Sequence, residues 1–158
     1  MAVGKYAVDT AVSVARSKAE IEEVIERYGG SSFAFATDQS SQSAMVGFRM
    51  HARSVRFVLP LPRRDSEEFT LTPSRKWQRD EKEAYTSWER ACRQRWRALY
   101  LAIKAKLEAV EVGISVFDDE FLANIVLAND FTIGDQLRDH IDAAIDGTGP
   151  LALMAPRR

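Results

Sequence analysis

The chain has 158 residues, 46% of them apolar, and a formal net charge of −1. That length suits one domain with a sizeable core and excludes a wholly disordered chain. One Cys excludes an intramolecular disulfide framework and a Cys-rich zinc site, and no apolar run approaches the roughly 18 residues a membrane helix needs.

Residues 1–5 lack an apolar signal core, and a lone Cys fits a reducing compartment, so a cytoplasmic location is expected. Residues 17–29 read as a first helix, with Ser17 and Glu20 in capping-box positions. Ile21, Val24, Ile25 and Tyr28 form its apolar stripe, and Gly29-Gly30 ends it. Residues 31–37 alternate and read as a strand, and residues 38–43 as a polar turn. Residues 44–60 read as a hairpin. With Ala52-Arg53 as its turn, Arg49 lies opposite Arg56 and Phe48 opposite Phe57, so Phe and Arg pairs occupy opposite faces. Pro60 and Pro62 end the strand. Residues 61–79 read as an exposed loop with a short extended piece at Phe69-Thr70-Leu71.

The strongest pattern covers residues 80–112. Trp88, Cys92, Trp96, Leu99, Ile103, Leu107 and Val110 recur at helical spacing, on a helix about 50 Å long at 1.5 Å per residue. Asp80 and Glu83 suit a capping box, and Gly113 suits the C-cap with Ile114 in apolar contact. A second helix is expected from Ser115, held by Val116, Phe117, Phe121 and Leu122, with Asp118, Asp119 and Glu120 in its first turn. Residues 125–127 and 131–133 read as two short strands. Residues 134–146 read as a closing helix using Leu137, Ile141 and Ile145. The expected fold is α+β: a helix, a three-stranded antiparallel sheet, a long helix packed on the sheet, then a short helical tail. Residues 1–147 make one domain, and residues 148–158 a flexible C-terminal tail.

The net charge of −1 conceals opposite blocks. Residues 45–106 carry 15 basic and 7 acidic groups, and residues 107–147 carry 1 basic and 10 acidic. Such asymmetry points to a charged partner, or to two blocks that neutralise each other across the fold. Arg outnumbers Lys 11 to 4 in the basic block, and Arg suits bidentate phosphate contacts and base stacking. The candidate nucleic-acid contacts are Arg49, Arg53 and Arg56 on the hairpin, and Arg90, Arg93 and Arg97 on one face of the long helix. Arg75, Lys76, Trp77 and Arg79 join them from the loop, where an aromatic among cations suits a single strand. Trp88 and Trp96 lie on the apolar stripe and read as core. Asp118, Asp119 and Glu120 are the candidate partner-binding residues.

No catalytic motif is present: there is no nucleophile elbow and no phosphate-cradling Gly loop. His51 and His140 have no ligand-spaced companions, so no metal or other cofactor is expected. Cys92 reads as a small core residue.

The runs Val46-Gly47-Phe48-Arg49-Met50-His51 and Val55-Arg56-Phe57-Val58-Leu59-Pro60-Leu61-Pro62 resemble a family of small proteins of unassigned function encoded by tailed phages and prophages. So do Trp88-Glu89-Arg90-Ala91-Cys92-Arg93-Gln94-Arg95-Trp96-Arg97-Ala98-Leu99 and Ala105-Lys106-Leu107-Glu108-Ala109-Val110-Glu111. The resemblance implies a bacterial host cytoplasm and partners in DNA metabolism, packaging or counter-defence. The order of elements is also similar to double-stranded-RNA-binding domains and to phage single-strand annealing proteins, at the level of topology.

The leading expectation is a non-enzymatic nucleic-acid-binding protein for recombination or replication, with single-stranded DNA as ligand. The acidic block would then self-associate with a neighbour's basic face, giving a homo-oligomer, or mask that face. The alternative is a protein-interaction module that inhibits a host or defence protein through residues 107–147. The third reading is a small metal-dependent nuclease, assembled from carboxylates scattered in sequence.

Overall fold

The computed structural model describes residues 10–148. Its elements run α1 (Val14–Arg27), β1 (Ser31–Asp38), β2 (Ser43–Met50), β3 (Arg53–Pro60), α2 (Glu67–Thr70), α3 (Glu81–Glu111), α4 (Phe117–Phe121), a 3₁₀ turn (Leu122–Asn124) and α5 (Ile133–Ile145). The strands form one antiparallel sheet in the order β1-β2-β3. This is the α+β arrangement that the periodicities imply, with the long helix α3 packed on the sheet. Of the expected tail, residues 149–158 lie outside the described residues.

Period-2 alternation decides which sheet face is buried. Ala44, Val46, Phe48, Met50, Val55 and Leu59 are buried, with Phe35 and Phe57 packed beside them. Onto this face α1 brings Ile21, Val24 and Ile25, α3 brings Trp96, Leu99, Ile103 and Leu107, and α4 brings Phe117 and Phe121. Phe121 is fully buried. It meets Phe48 and Phe57 edge-on, with ring centroids 6.1 and 6.2 Å away, and stacks on Phe117 at 4.6 Å. These geometries suit the aromatic quadrupole. These three helices thus cover one face and leave the other open.

Local details differ from the sequence reading in instructive ways. Helix α1 starts a turn earlier than Ser17, because Ser13 caps it by accepting from Arg16 N–H at 3.1 Å. Ser17 instead lies on the buried stripe. The β2–β3 turn is His51-Ala52, both with positive φ (49° and 59°), as a tight primed turn requires. The register therefore pairs Arg49 with Ser54 and Gly47 with Arg56, rather than Arg49 with Arg56. The slip is two residues, so face assignments survive and two like charges are kept from directly opposing each other.

Residues 61–79 are more ordered than a loop. Phe69 is buried in the short helix α2, where an extended piece was expected. At the C-terminus of α3, Gly113 adopts φ 75° as expected, but Ile114 is exposed. Helix α4 begins at Phe117 without a side-chain cap, and Val116 and Leu122 are exposed rather than anchoring. Residues 125–127 and 131–133 contribute isolated bridges: Val55 to Ile125 lies on the outer edge of β3, and Val126 to Thr132 joins the two pieces to each other. Helix α5 spans Ile133–Ile145, yet none of its residues is buried.

Truncating Phe121 to Ala should lower unfolding free energy by about 3–5 kcal/mol, the range for buried aromatic deletions. Urea titration followed by circular dichroism checks this. A loss below about 1 kcal/mol would contradict Phe121 as the joint between α4 and the sheet.

Candidate nucleic-acid interface

The residues singled out by charge fall into three places. Arg49, Arg53 and Arg56 belong to the hairpin. Arg53 donates to both carboxylate oxygens of Asp118, at 3.2 and 3.0 Å. Arg56, only 20% exposed at its side chain, bonds Asp130 at 3.3 Å and lies 3.9 Å from Asp135. It also donates to the backbone carbonyl of Asp130. Arg49 points to the open sheet face and forms no ion pair among the described residues. The acidic segment therefore neutralises two of the three hairpin arginines in space as well as in sequence.

The second group lies on α3, on the helix side of the sheet. Arg93 pairs with Glu89 at 3.1 Å. Arg97 pairs with Glu20 of α1 and lies over the Tyr100 ring, 4.4 Å from its centroid. Burial opposes ionisation of Glu20, but hydrogen bonds from Arg97 and Arg16 outweigh it and hold the carboxyl below its usual range. Arg90 is exposed on the same helix. The neighbouring surface of α1 carries Glu23 and Glu26, both exposed, which would repel a phosphate chain. Glu20 was legible as a capping residue, but its role as the partner of Arg97 needs the α1–α3 packing.

The third group is the turn before α3. Thr72 N–H donates to the Trp77 carbonyl at 2.9 Å, Arg75 N–H to the Thr72 carbonyl at 2.7 Å, and Arg79 N–H to the Thr70 carbonyl at 2.8 Å. A bridge joins Leu71 to Gln78. Buried Phe69 anchors one side, and Arg79 donates to the Ser87 hydroxyl at 3.0 Å on the other. Trp88, which the stripe assigns to the core, is only half-buried, and its indole N–H donates to the Pro62 carbonyl at 2.8 Å. On this ordered turn Trp77 is 72% exposed. Arg75 and Lys76 are exposed beside it and form no ion pair among the described residues. Arg49 and Arg56 lie on the open face of the sheet and the α3 arginines on the side the helices cover, so these two groups do not share a face.

Of the candidate partner-binding residues, Asp118 is held by Arg53. Glu120 lies 3.5 Å from Lys106, which also donates to its backbone carbonyl at 2.6 Å. Asp119 is exposed. A cleft of about 490 Å³ lies between α1, α3 and the β1–β2 turn, lined by Lys18, Asp38, Leu61, Trp88, Cys92 and Trp96. Lys18 sits over Trp96 at 4.7 Å, a favourable cation–π distance. Side-chain hydrogen bonds from Ser40 and Ser41 lower Asp38 to about 2. Burial, with help from Glu89, pushes the Cys92 thiol up to about 11.

Among the described residues no group of three or more His, Cys, Asp or Glu converges as a metal site. No described helix is long and apolar enough to cross a membrane. No family model matches the chain, and neither a curated protein nor a solved structure shows significant similarity to it.

The raised thiol predicts slow chemistry at Cys92. At pH 8 the folded protein should react with a disulfide reagent far more slowly than urea-unfolded protein, since the thiolate is the nucleophile. Equal rates in the two states would contradict a buried, protonated thiol.

Proposed function

We propose that the protein binds single-stranded nucleic acid without catalysis, through the turn at residues 72–79. The carrying observation is Trp77, 72% exposed on a hydrogen-bonded turn. A large aromatic held out to solvent loses little conformational freedom on binding and offers a ring to any base. Arg75 and Lys76 stand beside it, exposed and without an ion pair among the described residues, and Arg79 lies two positions on. Cations beside a stacking ring suit a strand whose bases are unpaired and whose phosphates run alongside.

The hairpin arginines have a smaller part in this reading than the charge blocks alone imply. Arg53 and Arg56 serve the fold by holding Asp118 and the residue 130–135 segment.

Binding of a labelled oligothymidylate, followed by anisotropy at low salt, tests the reading. Trp77→Ala should weaken binding about 5- to 150-fold, corresponding to roughly 1–3 kcal/mol for one stacked base, and Trp77→Phe should retain most of the affinity. Absence of binding by the wild type, or equal binding by Trp77→Ala, would overturn it.

A further inference from the structure

Helix α1 places a cation where its pattern calls for an apolar residue. Val14, Ile21 and Ile25 lie on the stripe that packs inward, and Lys18 shares that stripe, between Val14 and Ile21. Lys18 is half-buried there. Its ammonium sits 4.7 Å from the Trp96 ring centroid and 5.9 Å from that of Phe35, and it makes no ion pair or hydrogen bond among the described residues. Ring faces attract a cation but leave its N–H donors unused. Drawing such a group out of water costs free energy that a bound anion would offset.

This cation stands in the cleft of about 490 Å³ between α1, α3 and the β1–β2 turn, a volume within the rough range of 300–1,000 Å³ for small-molecule sites. The cleft exists because α3 outruns the sheet. Trp88 and Cys92 precede Trp96 on the α3 stripe and stand outside the core cluster. Thr37 marks the same gap from the sheet. It pairs with Ala44, so it faces the side that the helices cover, yet it is exposed. Val14, Leu61 and Trp88 supply apolar walls. The Trp88 ring is fixed before any ligand arrives: its N–H donates to the Pro62 carbonyl at 2.8 Å, and Tyr85 packs against it with centroids 5.6 Å apart.

The other charged side chains of the lining are engaged. Asp38 accepts from Ser40 N–H at 2.8 Å and from the Ser40 and Ser41 hydroxyls at 2.6 and 2.7 Å, within its own turn. Arg64 lies 3.6 Å from Glu81 and 5.0 Å from the Tyr85 ring centroid. Lys18 alone of the three has its hydrogen-bonding capacity wholly unspent among the described residues.

We propose that the cleft binds a small organic anion with a flat apolar body and one carboxylate, sulfonate or phosphate group. Lys18 donates to the anionic oxygens, and the body lies against Trp88, Leu61 and Val14. Trp77 is not part of the lining, so the inference stands independently of nucleic-acid binding.

The probe is anilinonaphthalene sulfonate, a flat apolar anion whose fluorescence rises in an apolar site, with N-phenylnaphthylamine as its uncharged counterpart. The full chain should bind the sulfonate saturably, one per chain. Lys18→Met keeps an apolar stem and removes the charge. With circular dichroism unchanged, it should weaken the sulfonate by about 10-fold or more, the worth of a hydrogen bond to a charged group, and leave the neutral probe unaffected. Lys18→Arg should retain the sulfonate. Thr37→Trp should fill the cleft and weaken both probes. Lys18→Gln and Gln39→Trp replace either variant that fails to fold. A wild type without saturable binding overturns the proposal, whatever part of the chain fills the cleft. A Lys18→Met variant that binds the sulfonate as tightly as wild type also overturns it, and so does one that loses both probes alike, since Lys18 would then serve packing alone.

Discussion

The burial of one stripe of α3 against one face of the sheet is the constraint on which everything else depends. Cys92, Trp96, Leu99, Ile103 and Leu107 line that stripe, and the last four join the sheet's core together with α1 and α4. A helix of 31 residues is about 46 Å long at 1.5 Å per residue, longer than any strand of the sheet. Its first half therefore runs past the sheet toward the 61–79 region, and its last half toward α4. The same packing commits both major helices to a single face, leaving the opposite face open.

That geometry resolves what the charge blocks do. Along the last half of α3 and the β2–β3 hairpin, acids and bases meet: Arg53 with Asp118, Arg56 with Asp130, Lys106 with Glu120. Pairs as exposed as Arg53–Asp118 contribute little stability individually, under about 1 kcal/mol. Arg56 is better shielded and ties the segment leading into α5 to the sheet edge. At the opposite end, the 61–79 region presents Arg75, Lys76 and Trp77 away from the acidic block. Near-neutrality overall thus coexists with two exposed cations at this tip, Arg75 and Lys76, that form no ion pair among the described residues.

Much of the fold was legible because its signals were periodic. The stripe of α3, the alternation along 44–60 and the Gly113 stop each reflect a local rule that tertiary packing reinforced. The turn register is not legible in the sequence because it depends on which two residues accept positive φ, and neither His51 nor Ala52 advertises that as Gly would. The helical turn at Phe69 is not legible either, because a single buried anchor in a polar stretch leaves no period. For the candidate site, the Arg75-Lys76-Trp77 run could be read directly. The pairings Arg97–Glu20 and Arg56–Asp130 could not, since they join residues 77 and 74 positions apart and exist only once the elements have packed. Helix α5 shows the reverse case: its stripe predicts burial, and the described chain does not supply the covering surface.

The central claim is that the Arg75–Trp77 tip, rather than the basic block as a whole, meets nucleic acid. The most direct measurement is the salt dependence of oligothymidylate affinity for an Arg75→Ala/Lys76→Ala double variant. Single strands release about 0.7 counterions per phosphate contact, so the slope of log affinity against log salt should become shallower by about 1.4 relative to wild type. A slope unchanged by the double substitution would contradict the account.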